Sequence, residues 1–126
     1  MKLLAAIALG GAIGALGRHF VAAGMIAMLG HGFPWGTLAV NVIGSFAMGA
    51  LVETTALVWS PSLELRALMT VGLLGAFTTF STFSLDTVLL YERGETALAA
   101  AYIVLSFALS VGALFAGMRL LRLALL

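Results

Sequence analysis

The sequence has no cysteine. That excludes thiolate metal sites and thiol redox chemistry, and it leaves the redox compartment undetermined. The 2 histidines, His19 and His31, have no ligand spacing, so a metal centre built on them is not expected. Charge is scarce as well, at 9% of residues with a net charge of +1. A basic face for nucleic acid is therefore excluded. There is no His–carboxylate pair, activated nucleophile or phosphate loop, so the chain is not expected to be an enzyme. What fills the chain is apolar: 63% of its 126 residues are hydrophobic. No soluble domain of this size needs so much apolar surface, and the expected class is an all-α integral membrane protein.

Four apolar segments follow one another, Leu3–Leu29, Trp35–Val58, Leu65–Leu90 and Thr96–Met118. Each is long enough to span a bilayer. The connections Gly30–Pro34, Trp59–Glu64 and Tyr91–Glu95 are short. Residues 1–126 therefore read as a single four-span membrane domain with no linker or repeat. Lys2 and the apolar run after it imitate a signal peptide. The run continues past Arg18 and nothing soluble follows, so an uncleaved first span is expected.

The first span repeats small residues at Ala6, Gly10 and Gly14, with Gly11 and Gly17 beside them. That spacing lets helix backbones approach closely in lipid. Arg18 either snorkels to the interface or places a fixed positive charge in an aqueous vestibule. The second span lies between Trp35 and Trp59, which suits an aromatic belt at each interface. Pro34 stands where a helix start tolerates it. Thr37, Asn41, Ser45, Gly49 and Glu53 form one stripe at intervals of four. Glu53 reads as an interfacial carboxylate near the far end. Ser60 and Pro61 read as a helix cap and a first-turn proline opening the third span, and Arg93 and Gly94 as its close. On the fourth span Tyr102, Ser106 and Ser110 share one face, facing the second-span stripe or acting as interhelical glue.

The third span holds the unusual stretch, Gly72 to Ser84. A continuous helix over its apolar run would be roughly 39 Å long, against a hydrocarbon core of about 30 Å. Tilt or a central break follows. Five hydroxyls fall in seven residues, at Thr78, Thr79, Ser81, Thr82 and Ser84. Such side chains can satisfy the backbone groups that a break frees. Phe77, Phe80 and Phe83 lie between them, three apart, and would drift slowly round one helical face.

The string Gly-x-x-Gly-x-x-Thr-Thr-Phe-Ser-Thr-Phe-Ser, from Gly72 to Ser84, resembles the signature of the Fluc/CrcB fluoride channel family. Gly14-Ala15-Leu16-Gly17-Arg18 and the second-span string from Gly36 to Phe46 are similar to further motifs of that family. The resemblance implies four transmembrane helices per subunit, a third helix broken at its centre and an antiparallel dual-topology dimer. It implies a fluoride-selective channel that passively exports fluoride through two pores per dimer. Asn41 would line the anion path, Tyr102, Ser106 and Ser110 would form a polar track beside Phe80 and Phe83, and Arg18 would sit in the vestibule and at the dimer contact. A structural sodium ion would sit on the dimer axis at backbone carbonyls of Gly75 and Thr78. The family usually has glutamate where this chain has Asp86, and no role is assigned to it.

The chemistry is consistent with those expectations. Fluoride is small and strongly hydrated, so a pore must offer donors that can also release it. The hydroxyls of Thr37, Thr82 and Ser84 belong with Asn41 as such donors. Ring edges carry positive potential, and Phe80 and Phe83 can meet an anion edge-on. Carbonyls freed at a break suit a hard cation such as sodium. Lys2, Arg66, Arg119 and Arg122 lie on the side of the termini, and Arg93 lies opposite. Four against one predicts termini inside the cell, a stronger bias than dual topology wants. An antiparallel homodimer in the inner (plasma) membrane is expected, with a heterodimer of paired homologues as the alternative. A small dimeric drug or cation exporter would want a carboxylate in the first span, where this chain has Arg18. A non-transporting scaffold would need only the glycine packing.

Overall fold

A lipid core offers the backbone no hydrogen-bond partners, so each apolar segment must close its own bonds as a helix. The computed structural model describes residues 1–126 and follows that rule. Helix α1 is Lys2–Leu29, α2 is Trp35–Leu57 and α6 is Thr96–Leu125. The third span, Leu63–Glu92, is assembled from pieces. It comprises α3 (Leu63–Ala67), a π-helical stretch (Leu68–Leu74), α4 (Gly75–Phe77) and α5 (Phe80–Glu92). Thr78 and Thr79 separate the last two in extended conformation, at φ −86°, ψ 158° and φ −154°, ψ 122°. The span is therefore bent at its centre. The three phenylalanines do not share one face, because the break parts Phe77 from Phe80 and Phe83.

The start of the third span differs from the sequence reading. Ser62, not Ser60, is the cap, and its hydroxyl accepts from the Leu65 N–H at 3.1 Å. Pro61 disfavours helix at the residue before it, so the helix begins only beyond the proline. The other end is as expected. Arg93 is the C-cap of α5, and Gly94 follows at φ 79°, a conformation that side chains resist.

Glycine sets the two closest helix contacts. Gly10 and Gly14 of α1 are buried against the π-helical stretch. A Cβ on Gly10 would strike the Leu68 carbonyl oxygen, and one on Gly14 the Leu73 carbonyl oxygen. Gly17 faces the Phe77 ring, whereas Gly11 meets nothing within 4 Å. The α2–α6 pair is the most extensive in the bundle. There a Cβ on Gly49 would strike the Leu114 carbonyl, and one on Gly117 the Phe46 carbonyl. Small residues allow this approach where lipid supplies no hydrophobic drive.

One turn past Gly49 the same pair buries Glu53, at 3% exposure, where it accepts from Arg122 Nε at 2.6 Å. Glu53 stands near the far end of α2, as the sequence suggests, and is buried there. A buried carboxylate needs a partner, and the close α2–α6 approach supplies one from 69 residues away. At the opposite end of the bundle a small core joins Leu38, Leu90, Ala99 and Tyr102, with Phe33, Val42 and Phe83 against it. Most large apolar side chains elsewhere face outward, on helices long and apolar enough to cross a membrane.

Candidate functional site

The break in the third span is held from α2. Thr79 N–H donates to Asn41 Oδ1 at 2.7 Å, and Asn41 Nδ2 donates to the Thr79 carbonyl at 3.0 Å. The side-chain amide thus replaces a backbone partner in both directions. Thr79 Oγ1 accepts the Thr82 N–H at 3.2 Å and donates to Thr82 Oγ1 at 3.1 Å, capping α5. Thr78 Oγ1 donates back to the Leu74 carbonyl at 2.9 Å. Hydroxyls therefore do satisfy part of the break, and the Asn41 amide satisfies as many backbone groups from a second helix. One N–H of that amide remains for another acceptor.

These substitutions leave two carbonyls over. In a continuous helix Gly75 C=O would accept from Thr79 N–H, which here goes to Asn41. Thr78 C=O would accept from Thr82 N–H, which here goes to Thr79 Oγ1. Gly75 lies on the outer surface of the bundle and Thr78 is half-buried. Two freed carbonyl oxygens suit a hard cation such as sodium, so the residues fit such an ion.

Beside the break a groove of about 660 Å³ runs between α2, α5 and α6. Asn41, Thr78, Phe80, Phe83, Ser106 and Ser110 are among its lining residues. Ser106 and Ser110 Oγ are buried without any hydrogen-bond partner. Phe80 is 79% exposed and sits 5.5 Å, centroid to centroid, from Phe83. Phe83 in turn packs on the fully buried Tyr102, at 5.1 Å. Tyr102 is not among the groove residues. Its hydroxyl donates to Asp86 Oδ2 at 3.0 Å, and its ring supports Phe83.

The remaining expected site residues lie apart from the groove. Arg18, half-buried and in no ion pair, lines a cavity of about 270 Å³ with Thr37, Thr79 and Thr82. Thr37 also borders a third cavity with Asp86 and Arg93. Thr79 borders both the groove and the Arg18 cavity. Ser84 Oγ donates back to the Phe80 carbonyl at 3.0 Å, and Ser84 lines none of these spaces. The sequence did not single out the roles of two residues. Thr79 is the hinge of the site, and Asp86 is the acceptor that holds Tyr102.

The family model described as CrcB-like protein, Camphor Resistance (CrcB), matches residues 5–118. A protein of Rhodospirillum centenum is 55% identical over 124 residues, covering 98% of each chain, and is named fluoride-specific ion channel FluC. Proteins of the same name from Chelativorans sp. and Agrobacterium fabrum are 54% and 50% identical. They cover 97% and 94% of this chain, and 98% and 95% of their own length.

Proposed function

This chain belongs to the CrcB family, and on that premise we propose that it is a fluoride-specific ion channel. It is a passive conduit that lets the anion leave the cell down its gradient, and not an enzyme. The observation that carries the reading is the pair of buried serine hydroxyls, Ser106 and Ser110, which have no partner in the protein. A stranded buried hydroxyl costs about 1–3 kcal/mol. An anion in the groove gives each O–H an acceptor and offsets that cost. No carboxylate is among the groove residues to repel it.

Fluoride gives up water on entering, and the groove replaces that water with donors. Ser106 and Ser110 donate hydroxyls, and Asn41 donates the N–H that Thr79 leaves free. Phe80 and Phe83 supply ring edges, whose positive potential stabilises an anion without binding it tightly. Tyr102, tied to Asp86, holds Phe83 in place rather than donating to the ion. Arg18 raises the local anion concentration near Thr37, Thr79 and Thr82.

The working unit is an antiparallel dual-topology homodimer with two pores in the plasma (inner) membrane, in preference to a heterodimer of paired homologues. Support for a second subunit comes from Phe80, whose ring is largely uncovered, and from the outward position of Gly75. The carbonyls of Gly75 and Thr78 would hold a sodium ion. That ion would supply a fixed positive charge joining two breaks.

Efflux from liposomes tests the function. The purified protein should release trapped fluoride and retain trapped chloride. Equal release of both, or of neither, would refute the reading. Cross-linking that traps only parallel dimers would refute the assembly.

A further inference from the structure

Hydroxyls on membrane helices usually bond back to the carbonyl one turn earlier. Thr54, Thr70, Thr78, Ser84 and Thr87 all do so here, at 2.7 to 3.0 Å. Ser45 does not. Its hydroxyl has no hydrogen bond, although the Asn41 carbonyl is one turn away. It lines the same groove as Ser106 and Ser110. Ser45 shares the Asn41 face of α2, one turn farther from the break.

The contacts between α2 and α6 fix its height. The two helices run in the same direction, and Gly49 packs on Leu114 while Glu53 pairs with Arg122. The Gly49 contact puts Ser45 opposite Ser110 and the Glu53 pair puts it opposite Leu114, so Ser45 lies within about one helical turn of Ser110. Beyond them the groove is lined by Met48, Val111 and Leu114, which offer no donor. Ser45 and Ser110 are thus the last pair of hydroxyls on that side.

We propose that Ser45 is a further ligand of the transported anion, donating across the groove from Ser110. This assignment rests on the fluoride-channel reading. The paired hydroxyls form the last binding position before the apolar stretch, and they hold the ion between two helices that glycine contacts keep at fixed spacing.

The test is fluoride efflux from liposomes for the parent, Ser45→Ala, Ser45→Thr and Thr54→Ala, each confirmed as monodisperse in detergent. Thr54 bonds to the Ala50 carbonyl and serves as the control for a lost hydroxyl. Ser45→Ala should lower flux at least fivefold and raise the fluoride concentration that gives half-maximal flux. Ser45→Thr keeps the hydroxyl and should recover most of both. Thr54→Ala should match the parent. Parental flux and half-saturation in Ser45→Ala would overturn the assignment, as would equal impairment of the Ala and Thr variants. A parent that passes no fluoride would instead defeat the channel reading itself.

Discussion

The two halves of the third span come from one apolar run and meet opposite fates. The half before the break, Leu63 to Phe77, lies against α1 largely through backbone, with Gly10, Gly14 and Gly72 letting the two segments meet directly. The half after it, Phe80 to Glu92, touches α6 and α2 sparingly and no part of α1. Its Phe80 ring is mostly uncovered and only Leu90 is fully buried. Fixing the first half gives the break a rigid anchor. Leaving the second half loosely packed gives a Phe80 ring that is not used up in holding the fold. Structure and function are thus separated by two residues, Thr78 and Thr79.

The comparison breaks most severely in the anchored half. Gly14→Leu should give the largest effect, because even a Cβ there collides with the Leu73 carbonyl. Overpacking typically costs about 1–3 kcal/mol, and a collision with backbone has no flexible side chain to yield. We expect loss of monodisperse protein on size exclusion in detergent. Gly112→Leu, at a glycine with nothing within 4 Å, should elute as the parent does. Equal behaviour of the two would show that the glycine contact does not anchor the span.

In the second half the expected loss is of flux and not of fold. Phe80→Ile removes an aromatic edge from a ring that is 79% exposed. It should abolish fluoride efflux while the protein still elutes normally. Phe83→Ile should also lose flux, with a modest fall in melting temperature, since Phe83 packs on Tyr102. Phe107 lines the groove, so Phe115 is the better control. Stable Phe80→Ile and Phe83→Ile proteins with parental efflux would remove aromatic edges from the mechanism.

Between the halves stands Asn41. Its replacement by alanine strands Thr79 N–H and Thr79 C=O, and each unmet group costs about 1–3 kcal/mol. The melting temperature in detergent should fall. Asn41→Asp keeps the acceptor for Thr79 N–H and loses the donor to Thr79 C=O, so it should lie between alanine and the parent. An unchanged melting temperature in Asn41→Ala would mean that the break holds without its pin.

What the sequence discloses about these halves follows the range of the interactions. The break is legible because five hydroxyls crowd a span too long for the bilayer, a local pattern. The Ser106 and Ser110 face is legible because a spacing of four is a helical turn. Asn41 is recognisable as an amide that needs partners, yet its partner lies 38 residues away, and no periodicity reports that. The same holds for Glu53 and Arg122, and for Tyr102 and Asp86. The π-helical stretch falls in Leu68–Leu74, whose composition is ordinary for an apolar helix. It coincides with the backbone contact to Gly10 and Gly14, a tertiary feature.

A smaller change is expected at Arg18, which lies outside both halves. Arg18→Ala should lower fluoride efflux several-fold at low ionic strength. The deficit should shrink as salt rises, because screening shortens to about 8 Å at 0.15 M. The ratio of fluoride to chloride should not change, since a vestibule charge does not read ion size. A salt-independent deficit would point to a structural role for the guanidinium.

The smallest effect is expected at the junction itself. Thr78 contributes a hydroxyl that bonds to Leu74 C=O and a methyl that lies against Gly44. Thr78→Val keeps the methyl and the β-branch and removes only the hydroxyl. The lost bond is worth about 0.5–1.5 kcal/mol, and the Leu74 carbonyl still accepts from Thr78 N–H at 3.1 Å. Extended backbone at residue 78 suits valine as well as threonine. The Thr78 carbonyl, which the proposed sodium site uses, is therefore left where it is. Thr78→Val should elute as the parent does, melt a few degrees lower and keep most of its fluoride efflux. If the sodium ligand is the carbonyl, the variant should also keep the parent's response to sodium removal. A variant that folds normally but loses that response would place the ligand on the hydroxyl. The separation drawn at Thr78 and Thr79 would then have to include a side chain that serves fold and ion together.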